Sequence, residues 1–162
     1  MPTSADASRA AVSASRASAR GRSHRPTPDL LVDTSVAVAL VVSDHASHGA
    51  VVEALGDRVL GLAGHAWFET YSVLTRLPGA NRRRAEDVVR LLEHNFPGSR
   101  FLDERQAAAL AASLPRSGVS GGAVYDALIA CVAASYGLPL ASRDDRARPT
   151  YLAFDVDLIS LS

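Results

Sequence analysis

The stretch AVYDALIACVAAS, residues 123–135, restricts the fold more than any other part of this chain. Its only polar groups are Tyr125, Asp126 and Ser135. A helix that is apolar on nearly every side is a buried helix, so other elements must pack around it. A buried, unpaired carboxylate costs on the order of several kcal/mol or takes up a proton. Asp126 therefore needs a partner, yet no arginine or histidine lies within a helical turn of it. Lysine is absent altogether, since the seventeen basic residues are all arginine. The partner must come from a distant segment, and a divalent cation is the simplest choice.

The remaining elements supply the surrounding layers. LLV at 30–32 reads as a buried strand that ends at Asp33, and Thr34 and Ser35 can cap a helix through VAVALVV. A short helix is predicted over 48–55, a glycine-bracketed strand over 59–62, and helices over 66–77 and 85–94. Phe101 and Leu102 read as a brief strand, and residues 104–114 as an alanine-rich helix stopped at Pro115. After the helix at 123–136, residues 138–141 and 156–161 read as closing strands. Strands alternate with helices, which predicts an α/β/α sandwich with a mostly parallel central sheet. Chemistry in such a fold gathers at the carboxyl ends of the strands.

That placement selects the acids. Asp33 directly follows the first strand, where its ordinary task would be to cap the next helix. Asp144 follows the strand ending near Ser142, with Asp145 as its rival. Glu69 lies in HAWFETYSVL, among mostly aromatic and aliphatic neighbours. With Asp126 these make four carboxylates from distant parts of the chain. Brought together without a cation they would repel one another. Carboxylates with water form the ligand set of Mg²⁺ or Mn²⁺, and such a site suits phosphoryl transfer.

LLVDTS, FETYSVLTRL, SGGAVYDALIA and LPLASRDDRA…YLAFDVDLISL, taken in order, resemble the PIN domain. More narrowly they resemble the VapC toxins of bacterial VapBC toxin–antitoxin pairs. The resemblance runs from about residue 29 to the C-terminus. It implies a Mg²⁺- or Mn²⁺-dependent endoribonuclease acting on tRNA or other structured RNA, with Asp33, Glu69, Asp126 and Asp144 as the acidic quartet. Asp33, Asp126 and Asp144 would ligate the metal, and Glu69 would hold a second ion or position the attacking water. Ser142 matches the small hydroxyl residue two positions before the fourth acid. The same resemblance implies a homodimer and a VapB-type antitoxin, often one that brings an arginine to the carboxylates.

Residues 1–28 contain no leucine, isoleucine or aromatic residue and are built mainly of serine, alanine and arginine. They cannot bury enough apolar surface to offset ordering, so a disordered leader is predicted ahead of a domain at 29–162. A transit-peptide reading stands beside that of a dispensable extension. From residue 29 onward there are 12 basic and 16 acidic residues, a net charge of −4. The missing lysine excludes Schiff-base chemistry and a Walker A loop. A single cysteine excludes an intramolecular disulfide, and with no transmembrane run the expected setting is cytoplasmic, away from membranes. Trp67 and Cys131 read as packed core residues, Arg82–Arg84 as a solvated loop or an RNA-backbone contact, and Asp155 and Asp157 as turn and edge residues. Two other functions fit the same fold: a catalytically silent RNA- or partner-binding module, and an aspartate-based phosphohydrolase. The phosphohydrolase is disfavoured by Asp33-Thr34-Ser35 in place of an Asp-x-Asp pair.

Overall fold

In a computed structural model of the chain, residues 25–161 are described, apart from the side chain of Ala80. The expected leader falls almost wholly outside them. Residues 25–28, its last part, lie against the body: Pro28 is buried, and Arg100 donates to the Pro26 carbonyl at 3.0 Å.

Four short strands form the sheet: β1 (Leu30–Val32), β2 (Leu60–Leu62), β3 (Leu140–Ser142) and β4 (Leu158–Ser160). Their order is β2-β1-β3-β4 and every ladder is parallel. All residues of β1, β2 and β3 are buried, so both faces of the sheet are covered, as parallel strands require. Seven α-helices among the described residues provide the cover: α1 (Thr34–Val41), α2 (His48–Leu55), α3 (His65–Arg76), α4 (Ala85–Asn95), α5 (Glu104–Ser117), α6 (Ala123–Tyr136) and α7 (Arg148–Ala153). Val36, Ala37 and Ala39 of α1, Ala66 and Leu74 of α3, and Ile129, Ala130 and Val132 of α6 fill one continuous core with the strands.

Three local expectations are corrected. The helix α5 does not stop at Pro115 but continues to Ser117, ending at Gly118 in a left-handed conformation (φ 72°). Proline there removes only one bond, to the carbonyl of the exposed Ala111, which water can satisfy. Phe101 and Leu102 form no strand. The edge beside β2 is instead bonded earlier, by Gly98 N–H to the Leu60 carbonyl (3.0 Å) and Arg100 N–H to the Leu62 carbonyl (3.1 Å). Glycine permits that approach, since a Cβ on Gly61 would lie 2.3 Å from the Gly98 oxygen. Finally, α6 is not enclosed on all sides: Tyr125 and Tyr136 are 53% and 44% exposed, and Ala134 and Ser135 face solvent beside them.

Candidate active site

The chain leaves β1 in one direction toward β2 and returns on the other side to β3, so the carboxyl ends of β1 and β3 flank the switch point of the sheet. The pairing of Val32 with Ala141 sets the next residues, Asp33 and Ser142, beside each other. A pocket of about 200 Å³ opens there, lined by Asp33, Glu69, Asp126 and Asp144 together with Thr34, Arg146 and Tyr151. All four acids selected from the sequence reach it. Asp145 is exposed and lies outside the lining, so Asp144 is the acid that the loop presents.

Asp33 is 3% exposed and fully engaged by protein donors. Its Oδ1 accepts the Ser35 hydroxyl at 2.6 Å and the Val36 amide at 3.1 Å, the second of these being the N-cap bond of α1. Its Oδ2 accepts the hydroxyls of Ser142 and, at 3.2 Å, Tyr151. A carboxylate offers about four lone-pair sites, and here four donors meet them. Burial pushes the Asp33 carboxyl above its ordinary value, and the bonds from Ser142, Ser35, Val36 and Tyr151 oppose that shift. Asp33 therefore caps α1 and lines the pocket at once.

The hydroxyls also join the strands. Ser142 donates to Asp33 and accepts the Asp144 amide at 3.0 Å, while Ser35 accepts the Arg143 amide at 2.8 Å. The two acids at the ends of β1 and β3 are thus held in one bonded unit. Tyr151 of α7 is 1% exposed, and burial together with the charge of Asp33 pushes its phenol far above the ordinary value. It stays protonated and acts as a permanent donor.

Asp126 contrasts with Asp33. It sits in the first turn of α6, half-buried rather than buried, and no hydrogen-bond partner or ion pair is found for it among the described residues. Burial raises its carboxyl first, and the neighbouring charges of Asp144, Glu69 and Asp33 raise it further, against an opposing effect of Arg146. Glu69, on α3, is exposed and accepts the Thr34 hydroxyl at 2.7 Å. Asp144 is forked by Arg146, with Nε to Oδ1 and Nη2 to Oδ2 both at 3.0 Å, which holds its carboxyl below the ordinary value.

The donor set is that of a hard divalent cation: carboxylate oxygens, a hydroxyl or two, and no sulfur or imidazole. Burial and, after it, the like charges of Asp144, Glu69 and Asp33 raise the Asp126 carboxyl, and Arg146 offsets them only in part. Among the described residues, however, no three acids or histidines stand close enough together to enclose an ion. Three of the four are turned toward donors of the protein itself.

Arg146 and Tyr151 are the site residues that sequence reasoning missed. Arg146 had a local signal, lying two residues after the fourth acid, whereas Tyr151 had none beyond the need of a buried phenol for a partner. Of the other expectations, Trp67 is half-buried and stacks on Tyr71, and Cys131 is half-buried. Arg82–Arg84 are exposed, and Arg84 pairs with Glu86. Asp155 occupies a turn at φ 55° and Asp157 is exposed before β4. No helix among the described residues is long and apolar enough to cross a membrane.

The PIN domain family model matches residues 30–151. Ribonuclease VapC27 of Mycobacterium tuberculosis is 46% identical over 132 residues, which cover 82% of this chain and 96% of that protein. Among solved structures, VapC20 of Mycobacterium tuberculosis, described as a Sarcin-Ricin loop cleaving toxin, aligns with a TM-score of 0.58 and 21% identity over 74% of this chain and 93% of its own. VapBC2 of Rickettsia felis, bound to a DNA fragment from its promoter, aligns with a TM-score of 0.58 and 12% identity, covering 82% of this chain and 98% of the other. At these identities the solved structures establish the fold alone.

Proposed function

The chain belongs to the PIN-domain family, alongside the VapC ribonucleases, and from that premise we propose that it is a metal-dependent endoribonuclease, the toxin of a VapBC-type pair. The observation that carries this reading is the convergence of four carboxylates, from four separate segments, on one pocket at the switch point of the sheet. A structural role explains Asp33 but gives no reason for Asp126, a half-buried acid without a partner among the described residues.

Asp126 and Asp144 would hold Mg²⁺ or Mn²⁺ together with Asp33, which would exchange one of its four donors for the ion, and Glu69 lies at the exposed side of the pocket. Bound there, such a cation supplies a water of lowered pKa and neutralises charge that builds on a phosphate. The chain's own groups do the rest. Asp33 is a fixed anchor, because four donors define its orientation. Asp126, with its raised proton affinity and no competing donor, is the freest of the four to ligate. Glu69, steadied by Thr34, is placed to orient a water or accept its proton. Ser142 keeps Asp33 and Asp144 in register throughout.

The substrate is RNA, with tRNA or another structured RNA as the favoured class. The toxin acts as a homodimer in the cytoplasm and is restrained by a VapB-type antitoxin. The binding-only alternative gains no support from the pocket, where like charges are brought together at a cost that a passive module has no use for. The test is induced expression in a bacterium of the wild type beside Asp126→Asn, with total RNA sequenced for new ends. The substitution removes a ligand but no bond that the fold uses. Growth arrest with discrete cut sites, absent in the variant, is expected. Equal, harmless expression of both would overturn the ribonuclease reading.

A further inference from the structure

Among the residues lining the acidic pocket, Arg146 alone is cationic. Besides the two side-chain bonds to Asp144, its backbone amide donates to Asp144 Oδ1 at 2.9 Å. The side chain is 91% exposed, so no packing fixes the guanidinium where it stands. The fork and the amide meet three of about four lone-pair sites on Asp144, and a cation bound at the remaining one would lie beside a guanidinium of like charge. The two ligands therefore compete for the same carboxylate.

The charge of the pocket gives the arginine a second task. Four carboxylates and one divalent cation leave a net charge of −2, and an RNA phosphate brings one more negative charge. A planar guanidinium that matches a carboxylate edge also matches two non-bridging phosphate oxygens. We propose that Arg146 is a two-position residue: it competes with the divalent cation for Asp144, and once displaced it binds the RNA phosphate seated in the pocket. The inference rests on the ribonuclease reading above and adds a substrate-binding residue and a built-in competitor to it.

Calorimetric titration of Mn²⁺ into the full chain tests the first half. Arg146→Gln is expected to bind Mn²⁺ about threefold to fivefold tighter than the wild type, the gain set by a weak surface pair. The second half is read by fluorescence anisotropy on the RNA identified by end mapping, with Ca²⁺ present, over a series of salt concentrations. Arg146→Gln is expected to weaken RNA binding about tenfold and to reduce the salt slope by about one. Arg146→Lys, which keeps the charge without the fork, restores the slope but only part of the affinity. The exposed position predicts that each variant melts lower by no more than a weak surface pair contributes.

Weaker Mn²⁺ binding by Arg146→Gln would make Arg146 a positioning residue for Asp144 and overturn the competition. An unchanged RNA affinity and salt slope would mean that it never meets the phosphate. Failure of this inference is separable from failure of the ribonuclease reading. A wild type that binds Mn²⁺ and cuts RNA beside an indistinguishable variant rejects Arg146 alone. A wild type that does neither rejects both.

Discussion

The end of β1 and the first turn of α6 each contribute an aspartate to the same pocket, and the two are built in opposite ways. At the strand end, Asp33 is 3% exposed and accepts four hydrogen bonds that cap α1 and join β1 to β3 and α7. On the helix, Asp126 is half-buried and has no such bonds among the described residues. Both carboxyls are pushed upward, Asp33 by burial against helpful donors and Asp126 by burial and like charge together. The difference separates two ways of holding an acid in one pocket. One is woven into the fold and is a fixed reference point; the other is uncommitted among the described residues.

That contrast breaks first at Asp33. Asp33→Ala removes the cap of α1 and strands the buried hydroxyls of Ser142 and Tyr151, a loss of about 3 kcal/mol in urea denaturation. A variant as stable as the wild type would show that the bonded unit contributes little. Tyr151→Phe deletes only the longest of the four bonds while keeping the ring in the core, and a loss of about 1 kcal/mol is expected by the same measurement. Asp126→Asn is expected to abolish RNA cleavage and yet to change stability by no more than about 0.5 kcal/mol at neutral pH, in the stabilising direction.

The pH dependence of that last comparison sharpens it. The folded state holds the Asp126 proton more tightly than the unfolded chain, whose ordinary aspartate value is 3.8. Its ionisation therefore costs stability, a cost absent below 3.8 and growing as pH rises through the raised folded value. Melting temperatures of wild type and Asp126→Asn are expected to converge in acid and to diverge toward neutral pH. A gap that narrows as pH rises would contradict the repulsion assigned to Asp126. Asp144 works with the opposite sign, since Arg146 lowers its carboxyl and the stability it adds is lost as pH falls.

The periodic features were legible in the sequence. Short apolar runs ending at Asp33 and near Ser142 marked parallel strands, and their carboxyl ends located two of the acids before any contact was known. Asp126 was conspicuous because nothing on its own helix offers it a charge. Its degree of burial was misjudged, since alanine and tyrosine look apolar in a pattern yet here form a wet outer face on α6. Pro115 differs for another reason: proline costs one bond and crowds the carbonyl four residues back, and in the last turn of α5, with Ala111 exposed, that cost does not end the helix at once. Arg146 and Tyr151 were hidden because their partners are fixed by tertiary structure. Tyr151 meets an acid 118 positions earlier in the chain, a pairing to which no local spacing points.

That span also bears on timing. Strand β1 is made well before Ser142 and Tyr151, which complete the set of donors around Asp33. Chains grow and fold from the N-terminus. A growing polypeptide therefore carries Asp33 and Glu69 before the β3 segment that gathers them has been made. The pocket is complete only once β3 and α7 have joined β1, so its assembly reports the closing of the sheet.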